Sequence, residues 1–472
     1  MTFVRRAGAV AAALLLMGSI AAQANDYSDP AWREHDTENM ARSSARQRGM
    51  ATDPEYMTAF MKSGGRTWWD ATGNQLADLN AGRLHGGLGQ VLPGGAVGDP
   101  KAYDDVTPRR VQFLSRTGAK LSGRIWGSEA PGPRPGVVIT TGSIQGTEHM
   151  YWWAARTLAA NGYVVMTWDV QGQGESESTG HRFGDHTPTT RGVPSQLETN
   201  FTEGTIDALR FFLSTPDAEY RPVGVSEAEV AAAKSTAAAD TEHLDWVNPG
   251  YGVLDRTRLG IAGHSLGGTA VSRVQQCADA AELWRTVGLC AGQSFPIKAV
   301  VGWDSLRSDV APVVPGMNQQ ADGYFLNPTP SSSAPSADAQ RSHLAAHRRW
   351  VDAGLDTYSL TVRGGTHLEW SEIPWILPAT AYGVPLADYY TLAWFDRYVK
   401  GDTAATQRLV DGPRDRANPD TPWNAHHFST RYHSGFALAG VGEVTDLRTY
   451  AGLSPVGDWA GSNADRVGRE TP

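Results

Sequence analysis

Short apolar runs alternate with helical patterns along the middle of the chain, and this alternation constrains the fold most strongly. Five runs suit strands, at 136–141, 163–168, 258–262, 297–303 and 357–362, and the first two of them suit buried strands. Helical patterns lie between them, at 150–161, 203–213 and 338–353. Because strands alternating with helices form parallel sheets, the sequence predicts an α/β protein with a doubly wound, mostly parallel sheet.

The segments around this region define the predicted domain, 106–402. It opens with two alternating runs joined by Thr117-Gly118, which are typical of an antiparallel hairpin. The last helix is predicted from Leu386 to Lys400, and the chain beyond it is polar. Residues 25–105 and 403–472 are therefore interpreted as N-terminal and C-terminal extensions.

One long insert interrupts the alternation before Ser265. The chain spends 95 residues between Asp169 and Ser265, more than one crossover helix needs. The insert is placed at about 178–250, and Ser226-Glu-Ala-Glu229 is a capping box that begins an alanine-rich helix.

The N-terminus has the pattern of a secretory signal peptide. Arg5 and Arg6 precede an apolar stretch at 7–20, and Ala22-Gln-Ala24 suits the cleavage site. A membrane anchor is the alternative, but 14 apolar residues fall short of the roughly 20 that a spanning helix needs. The sequence predicts cleavage after residue 24 and a secreted or periplasmic protein without a membrane span in its mature form.

The formal charge and the cysteines fit this prediction. Loss of two arginines and no acids with residues 1–24 takes the net charge from −9 to −11, and such a surface disfavours nucleic acid. Cys277 and Cys290 are the only cysteines, and in an oxidising compartment we expect them to form a local disulfide worth roughly 3 kcal/mol. A catalytic cysteine is the alternative, but neither has a histidine beside it in sequence.

The motif Gly263-His-Ser265-Leu-Gly267 fits GxSxG. An apolar strand precedes it and a helix of small residues follows, which is the setting in which a strained turn exposes a nucleophilic serine. A serine hydroxyl needs a histidine to accept its proton and an acid to orient that histidine. His367 follows the last predicted strand through Gly364-Gly-Thr and is the candidate base.

Two aspartates compete for the role of the acid. Asp322 is favoured if residues 313–317 form the penultimate strand, whereas Asp304 takes the role if that stretch is a loop. Either carboxylate could instead bond only to backbone at a strand end. The predicted oxyanion donors are the backbone N–H groups of Leu266, after the nucleophile, and Ser143, after the strand that ends at Thr141.

These motifs resemble the α/β-hydrolase superfamily, and in particular its dienelactone-hydrolase-like and cutinase-like polyester hydrolase branches. The resemblance covers roughly 110–400 and rests on residues 136–169, on Gly-His-Ser-Leu-Gly-Gly and on Gly-Gly-Thr-His. It implies the α/β-hydrolase fold, a triad of Ser265, Asp322 and His367, and oxyanion donors at Ser143 and Leu266. The insert and both extensions depart from it.

The resulting hypothesis is a serine hydrolase that cleaves carboxylic esters through an acyl-enzyme, without a metal or other cofactor. The alternatives are a peptidase or amidase of the same fold and an inactive binding module. His181, Asp185 and His186 could suggest a metal site, but they lack helical register and a second cluster.

The expected substrate is a small or medium-sized ester. The insert leaves the sheet at the carboxyl edge of the strands, where ligands bind in open α/β sheets. Its helix is therefore expected to roof Ser265. The alternative is an insert that packs to one side and leaves an open cleft. The oligomeric state is not specified by the sequence.

Overall fold

The fold is a mixed sheet of ten strands with helices against both faces, as seen in a computed structural model. It describes residues 108–447 with gaps, which are 130, 144–145, 178–179, 186, 189–197, 240–242, 305, 322–334, 363–366, 368, 372–382, 413–427 and 430–431. The signal segment, the whole N-terminal extension and Asp322 lie outside the described residues. None of the described helices is long and apolar enough to cross a membrane.

The strands form one continuous sheet in the order β1-β2-β4-β3-β5-β6-β7-β8-β9-β10. Their bounds are β1 Arg109–Leu114, β2 Lys120–Trp126, β3 Arg134–Thr140, β4 Val164–Trp168, β5 Leu254–His264, β6 Ile297–Trp303, β7 Gly316–Ala321, β8 Thr357–Val362, β9 Gly435–Leu438 and β10 Gly442–Val444. The six strands from β4 to β8 are parallel, and the β1–β2 and β9–β10 hairpins add antiparallel strands at the two edges. The predicted mostly parallel α/β sheet is confirmed.

Eight α-helices are described. Their bounds are α1 Trp152–Ala160, α2 Glu198–Phe212, α3 Glu227–Ala239, α4 Leu266–Val274, α5 Ala337–His343, α6 Ala345–Asp352, α7 Gly383–Phe395 and α8 Ala405–Asp411. A 3₁₀ turn at Glu148–Tyr151 precedes α1, and a π-helical turn at Asp396–Lys400 follows α7.

Alternating side chains of the strands divide the core into two layers. Val137 and Ile139 of β3 face the layer that contains α1 and α7, whereas Val138 faces the layer that contains α2 and α4. Because both faces are covered, the central strands are apolar on both sides, which explains the continuous apolar runs in the sequence. The sheet therefore holds the carboxyl ends of its parallel strands at one edge, where the candidate site lies.

Part of the chain beyond residue 402 belongs to the sheet. The strand β9 pairs with β8, and β10 pairs with β9. Phe428 and Phe436 are buried in the same layer as α7. The segment assigned to a C-terminal extension thus contributes one helix and two strands among its described residues.

The insert lies beside the β1–β2 hairpin. Asp245 and Gln112 of β1 exchange two hydrogen bonds, of 2.6 and 2.8 Å. In α3, Thr236 donates to the carbonyl of Gly184, and the capping box forms through Ser226 and Glu229. A cavity of about 140 Å³ separates the buried alanines of α3 from the hairpin. Ser265 follows β5, and three strands lie between β1 and β5 in the sheet order. These contacts therefore hold α3 to one side of Ser265. They do not place it over Ser265 as the expected roof.

Cys277 and Cys290 form the expected disulfide. It closes a loop between α4 and β6, and both sulfur-bearing side chains are buried.

Candidate active site

Ser265 lies on a strained turn between β5 and α4. Its backbone is left-handed, with φ 56° and ψ −123°, and its N–H donates to the carbonyl of Trp303 at 3.0 Å. Among the described residues, only Ser265, Ala291 and Asp304 combine a positive φ with a side chain other than that of glycine. Such strain persists only where surrounding contacts enforce it, and two of the three residues belong to this site.

The two glycines of the motif allow this turn to form. A Cβ atom on Gly263 would lie 2.3 Å from the carbonyl oxygen of Gly267, and one on Gly267 would lie 2.3 Å from the carbonyl oxygens of Thr140 and Thr141. Real Cβ atoms do not approach backbone oxygens this closely. The GxSxG spacing is therefore a steric requirement for closing the turn against the end of β3.

His367 and Asp304 form a short hydrogen bond close to the turn. His367 follows β8, and its Nδ1 lies 2.5 Å from Oδ2 of Asp304, which follows β6. The two side chains are 6% and 8% exposed, so water screens the pair little. The second oxygen of Asp304 accepts the N–H of Ala321 at 2.8 Å, and the Asp304 N–H donates to Gln319 at 2.6 Å. The first bond fixes the carboxylate to β7, and the second fixes the backbone of Asp304 to the same strand.

Asp304 is therefore the carboxylate observed at Nδ1 of His367. The strand expected at 313–317 is β7 at Gly316–Ala321, so Asp322 does follow the penultimate parallel strand, but it lies outside the described residues. The left-handed turn at Asp304 (φ 57°) carries its side chain across the end of β7 toward β8. The sequence favoured Asp322 because no local pattern indicates this turn.

The loop after β3 adjoins the nucleophile. A Cβ atom on Gly142 would lie 3.3 Å from Cβ of Ser265. The N–H of Gly142 is already bonded to the hydroxyl of Tyr151, at 2.9 Å. Within the described residues, no acceptor bonds the N–H of Ser143 or of Leu266, and both residues are half-buried. These two N–H groups, the predicted oxyanion donors, therefore have no competing acceptor among the described residues.

No protein-family model matches the chain, and no curated protein matches it significantly.

Two residues that the sequence analysis did not assign to the site connect its parts. The hydroxyl of Tyr151 lies 2.8 Å from Nδ1 of His264, and Nε2 of His264 lies 2.7 Å from the carbonyl oxygen of His367. Burial, and then the neighbouring His367, lowers the pKa of His264 well below its ordinary 6.5, so this ring is neutral. The contacts span 113 and 103 residues of sequence, and only the position of His264 inside GxSxG could have drawn attention to it.

Gln173 is hydrogen-bonded to the loop after β3. Its side-chain amide donates to the carbonyl oxygens of Gly142, at 2.9 Å, and Gly146, at 3.3 Å. The side chain is buried, so these bonds are shielded from water and fix the two ends of the loop that contains Ser143.

No metal centre is visible in the part of the chain that the structure describes, where no three His, Cys, Asp or Glu side chains group as ligands. His181 and Asp185, which could have suggested a metal site in the sequence, line the cavity next to α3. His186 lies outside the described residues.

Proposed function

We propose that this protein is a serine hydrolase that cleaves carboxylic esters through an acyl-enzyme. The observation that carries the proposal is the bond between His367 and Asp304 beside Ser265 on its strained turn. A nucleophile, a base and an orienting acid that come from three separate loops are the requirements of serine-dependent acyl transfer.

The proposed reaction begins at Ser265. As its oxygen attacks the ester carbonyl carbon, His367 takes the hydroxyl proton, and the carbonyl π electrons move onto oxygen to form an oxyanion. The N–H groups of Leu266 and Ser143 stabilise that charge. The tetrahedral intermediate collapses, the bond to the alcohol oxygen breaks, and His367 gives its proton to the leaving alkoxide. Water then repeats the sequence on the acyl-enzyme and releases the acid.

Asp304 gives His367 the protonation state that this sequence needs. An ionised carboxylate can only accept, so the Nδ1 that it contacts carries a proton and Nε2 keeps its lone pair. The carboxylate also stabilises the imidazolium that forms when His367 takes the proton of Ser265. In this role Asp304 replaces Asp322, which was favoured by the sequence.

The chain order Ser265, Asp304, His367 and the parallel sheet support membership of the α/β-hydrolase superfamily. In the described structure the acid follows β6, the strand next to that of the nucleophile. The disulfide supports an oxidising compartment and hence export. The proposed substrate is a carboxylic ester. The expected restriction to small esters depended on α3 as a roof over Ser265, and α3 lies to one side, so we do not propose that restriction.

The test uses a fluorophosphonate probe and an ester panel on the mature protein. We expect the probe to label the wild type at Ser265, and Ser265→Ala and His367→Ala to lower kcat on the order of 10⁴-fold or more with unchanged thermal unfolding. Near wild-type turnover by Ser265→Ala would refute the proposal. Absence of both labelling and turnover would favour a binding module, and amide cleavage as fast as ester cleavage would favour a peptidase.

A further inference from the structure

A continuous chain of three buried hydrogen bonds crosses the site behind Ser265. It runs from the N–H of Gly142 to the hydroxyl of Tyr151, from that hydroxyl to Nδ1 of His264, and from Nε2 of His264 to the carbonyl oxygen of His367. The lengths are 2.9, 2.8 and 2.7 Å. Tyr151 is 1% exposed and His264 is 3% exposed, so neither side chain reaches the surface on which a substrate would bind.

The protonation of every link follows from the chemistry of its ends. A carbonyl oxygen only accepts, so Nε2 of His264 carries the ring proton. Nδ1 of the neutral ring then accepts, which makes the Tyr151 hydroxyl its donor, while the Tyr151 oxygen accepts from Gly142. All three bonds point the same way along the chain, and bonds aligned in this manner polarise and strengthen one another.

The ends of this chain are the two loops that must stay in register with the nucleophile. Gly142 directly precedes Ser143, the proposed second oxyanion donor, and His264 directly precedes Ser265. At the other end is the backbone of His367 itself, whose ring is held separately by Asp304. His367 is thus fixed at two points, its Nδ1 and its carbonyl oxygen.

We propose that Tyr151 and His264 are positioning residues that lock the Ser143 loop and the His367 loop at a fixed separation on either side of Ser265. This inference rests on the proposed function. Ring packing supports this role. The ring of Tyr151 stacks on that of Trp303, the residue before Asp304, with the ring centroids 6.1 Å apart. The ring centroids of His264 and His367 lie 4.7 Å apart. The hydrogen-bonded chain from Gly142 through Tyr151 and His264 to His367, here called the bridge, therefore contacts the segments that supply reacting or charge-stabilising groups.

A purely structural role predicts a different outcome from a positioning role. If the bonds only satisfy buried polar groups, their loss lowers the unfolding free energy and leaves turnover by the folded enzyme unchanged. If they set the separation of the two loops, a shift of about 1 Å lowers turnover on the order of 10²-fold in enzyme that is still folded. The ground-state binding of an ester is little affected, so the loss falls on kcat rather than KM.

The first experiment is Tyr151→Phe, which removes one hydroxyl and keeps the ring. We expect kcat to fall about 10- to 100-fold with KM within about threefold, at a temperature where the variant is folded. The matched control is Tyr220→Phe, because Tyr220 is an equally buried tyrosine whose hydroxyl donates to the carbonyl of Leu114 in the opposite core layer. We expect that control to lose stability but to keep kcat within about twofold. Equal, small effects on kcat in both variants would overturn the proposal.

The second experiment compares His264→Gln with His264→Leu. The glutamine amide retains a donor for the His367 carbonyl, whereas leucine has none. We expect Gln to restore most of the kcat that Leu loses. A Gln variant as slow as the Leu variant, with both folded, would contradict the positioning role.

The third measurement does not depend on activity. In protein labelled with ¹⁵N-histidine, the resonances of His264 are identified by their absence from the spectrum of His264→Leu. We expect them to show the Nε2–H tautomer and no titration between pH 5 and 8. The Nδ1 resonance of His264 should shift in Tyr151→Phe. A His264 that carries its proton on Nδ1 would overturn the bridge. Ester turnover retained by Ser265→Ala alongside the expected spectrum would instead overturn the proposed function.

Discussion

Asp304 combines a left-handed backbone with a carboxylate that is bonded on both oxygens. Aspartate tolerates this conformation better than most residues, and here β7 enforces it through Gln319 and Ala321. The strain is therefore tied to the one orientation in which Oδ2 reaches His367.

The acid assignment is testable by two single substitutions. Asp304→Asn should lower kcat on the order of 10³- to 10⁴-fold, because an amide can donate to Nδ1 and hold His367 in the wrong tautomer. Asp322→Asn should leave kcat within a few-fold of the wild type. Steady-state kinetics on one soluble ester, with circular dichroism to confirm folding, make the comparison. A large loss in Asp322→Asn alone would return the role to that residue.

The glycines of the turn provide a second residue-scale prediction. Gly267→Ala should abolish turnover and folding together, because its methyl group would overlap two backbone oxygens of β3 and its loop. Gly252→Ala is the matched control, since a Cβ there meets nothing within 4 Å. We expect the control to keep wild-type thermal unfolding and activity. A folded, active Gly267→Ala protein would show that the turn can be built without close approach to β3.

Sequence patterns indicated Ser265 and His367 as candidates because each carries a local signal, a motif in one case and a strand end with glycines in the other. They could not choose between Asp304 and Asp322, since that choice depends on a backbone turn and on pairing with β7. Tyr151 and Gln173 carried no signal at all, because their partners are distant in the chain and their role exists only after packing.

At the scale of elements, the buried strands were the most predictable part, since two of them, β6 and β8, have the predicted bounds. The helix expected at 338–353 is instead two helices that meet at Leu344, and the helix expected to end at Lys400 closes with a π-helical turn. Helical periodicity continues through both irregularities, so the pattern cannot reveal them. The polar composition after 402 likewise concealed β9 and β10, two short strands of which β10 forms the edge of the sheet.

The position of α3 leads to a prediction about specificity. Ala237→Asp puts a charge on the buried side of α3, facing the cavity beside the hairpin, and should loosen this helix. The ratio of kcat/KM for a long-chain and a short-chain ester should nevertheless stay within about twofold of the wild type. Ala238→Asp, on the exposed side, is the control. A marked gain on the long-chain ester in Ala237→Asp alone would restore α3 as a roof over the site.

At the scale of the whole molecule, buried neutral histidines make stability depend on pH. Burial lowers the pKa of His347 from 6.5 to about 4, and its Nδ1 has no hydrogen-bond partner among the described residues. Between these two values the unfolded chain binds the proton that the folded protein excludes, so the stability present above pH 6.5 is lost as the pH falls toward 4.

Buried carboxyls such as Asp207, whose pKa is raised by burial, act in the opposite direction, so the contribution of His347 is visible only as a difference between two proteins. Between pH 7 and pH 4.5, the wild type should lose more unfolding free energy than His347→Leu, by about 2 kcal/mol. Urea denaturation at the two pH values measures it. An equal loss in both proteins would mean that His347 is protonated in the folded state.

The pairing of β9 with β8 has a consequence for biogenesis. The strand that leads into His367 has its outer neighbour at Gly435–Leu438, near the end of the chain. During synthesis, β8 therefore emerges well before the strand that covers its open edge, and such an edge is a template for intermolecular pairing. Until β9 has been synthesised, the open edge of β8 can therefore pair with the same strand of another nascent chain.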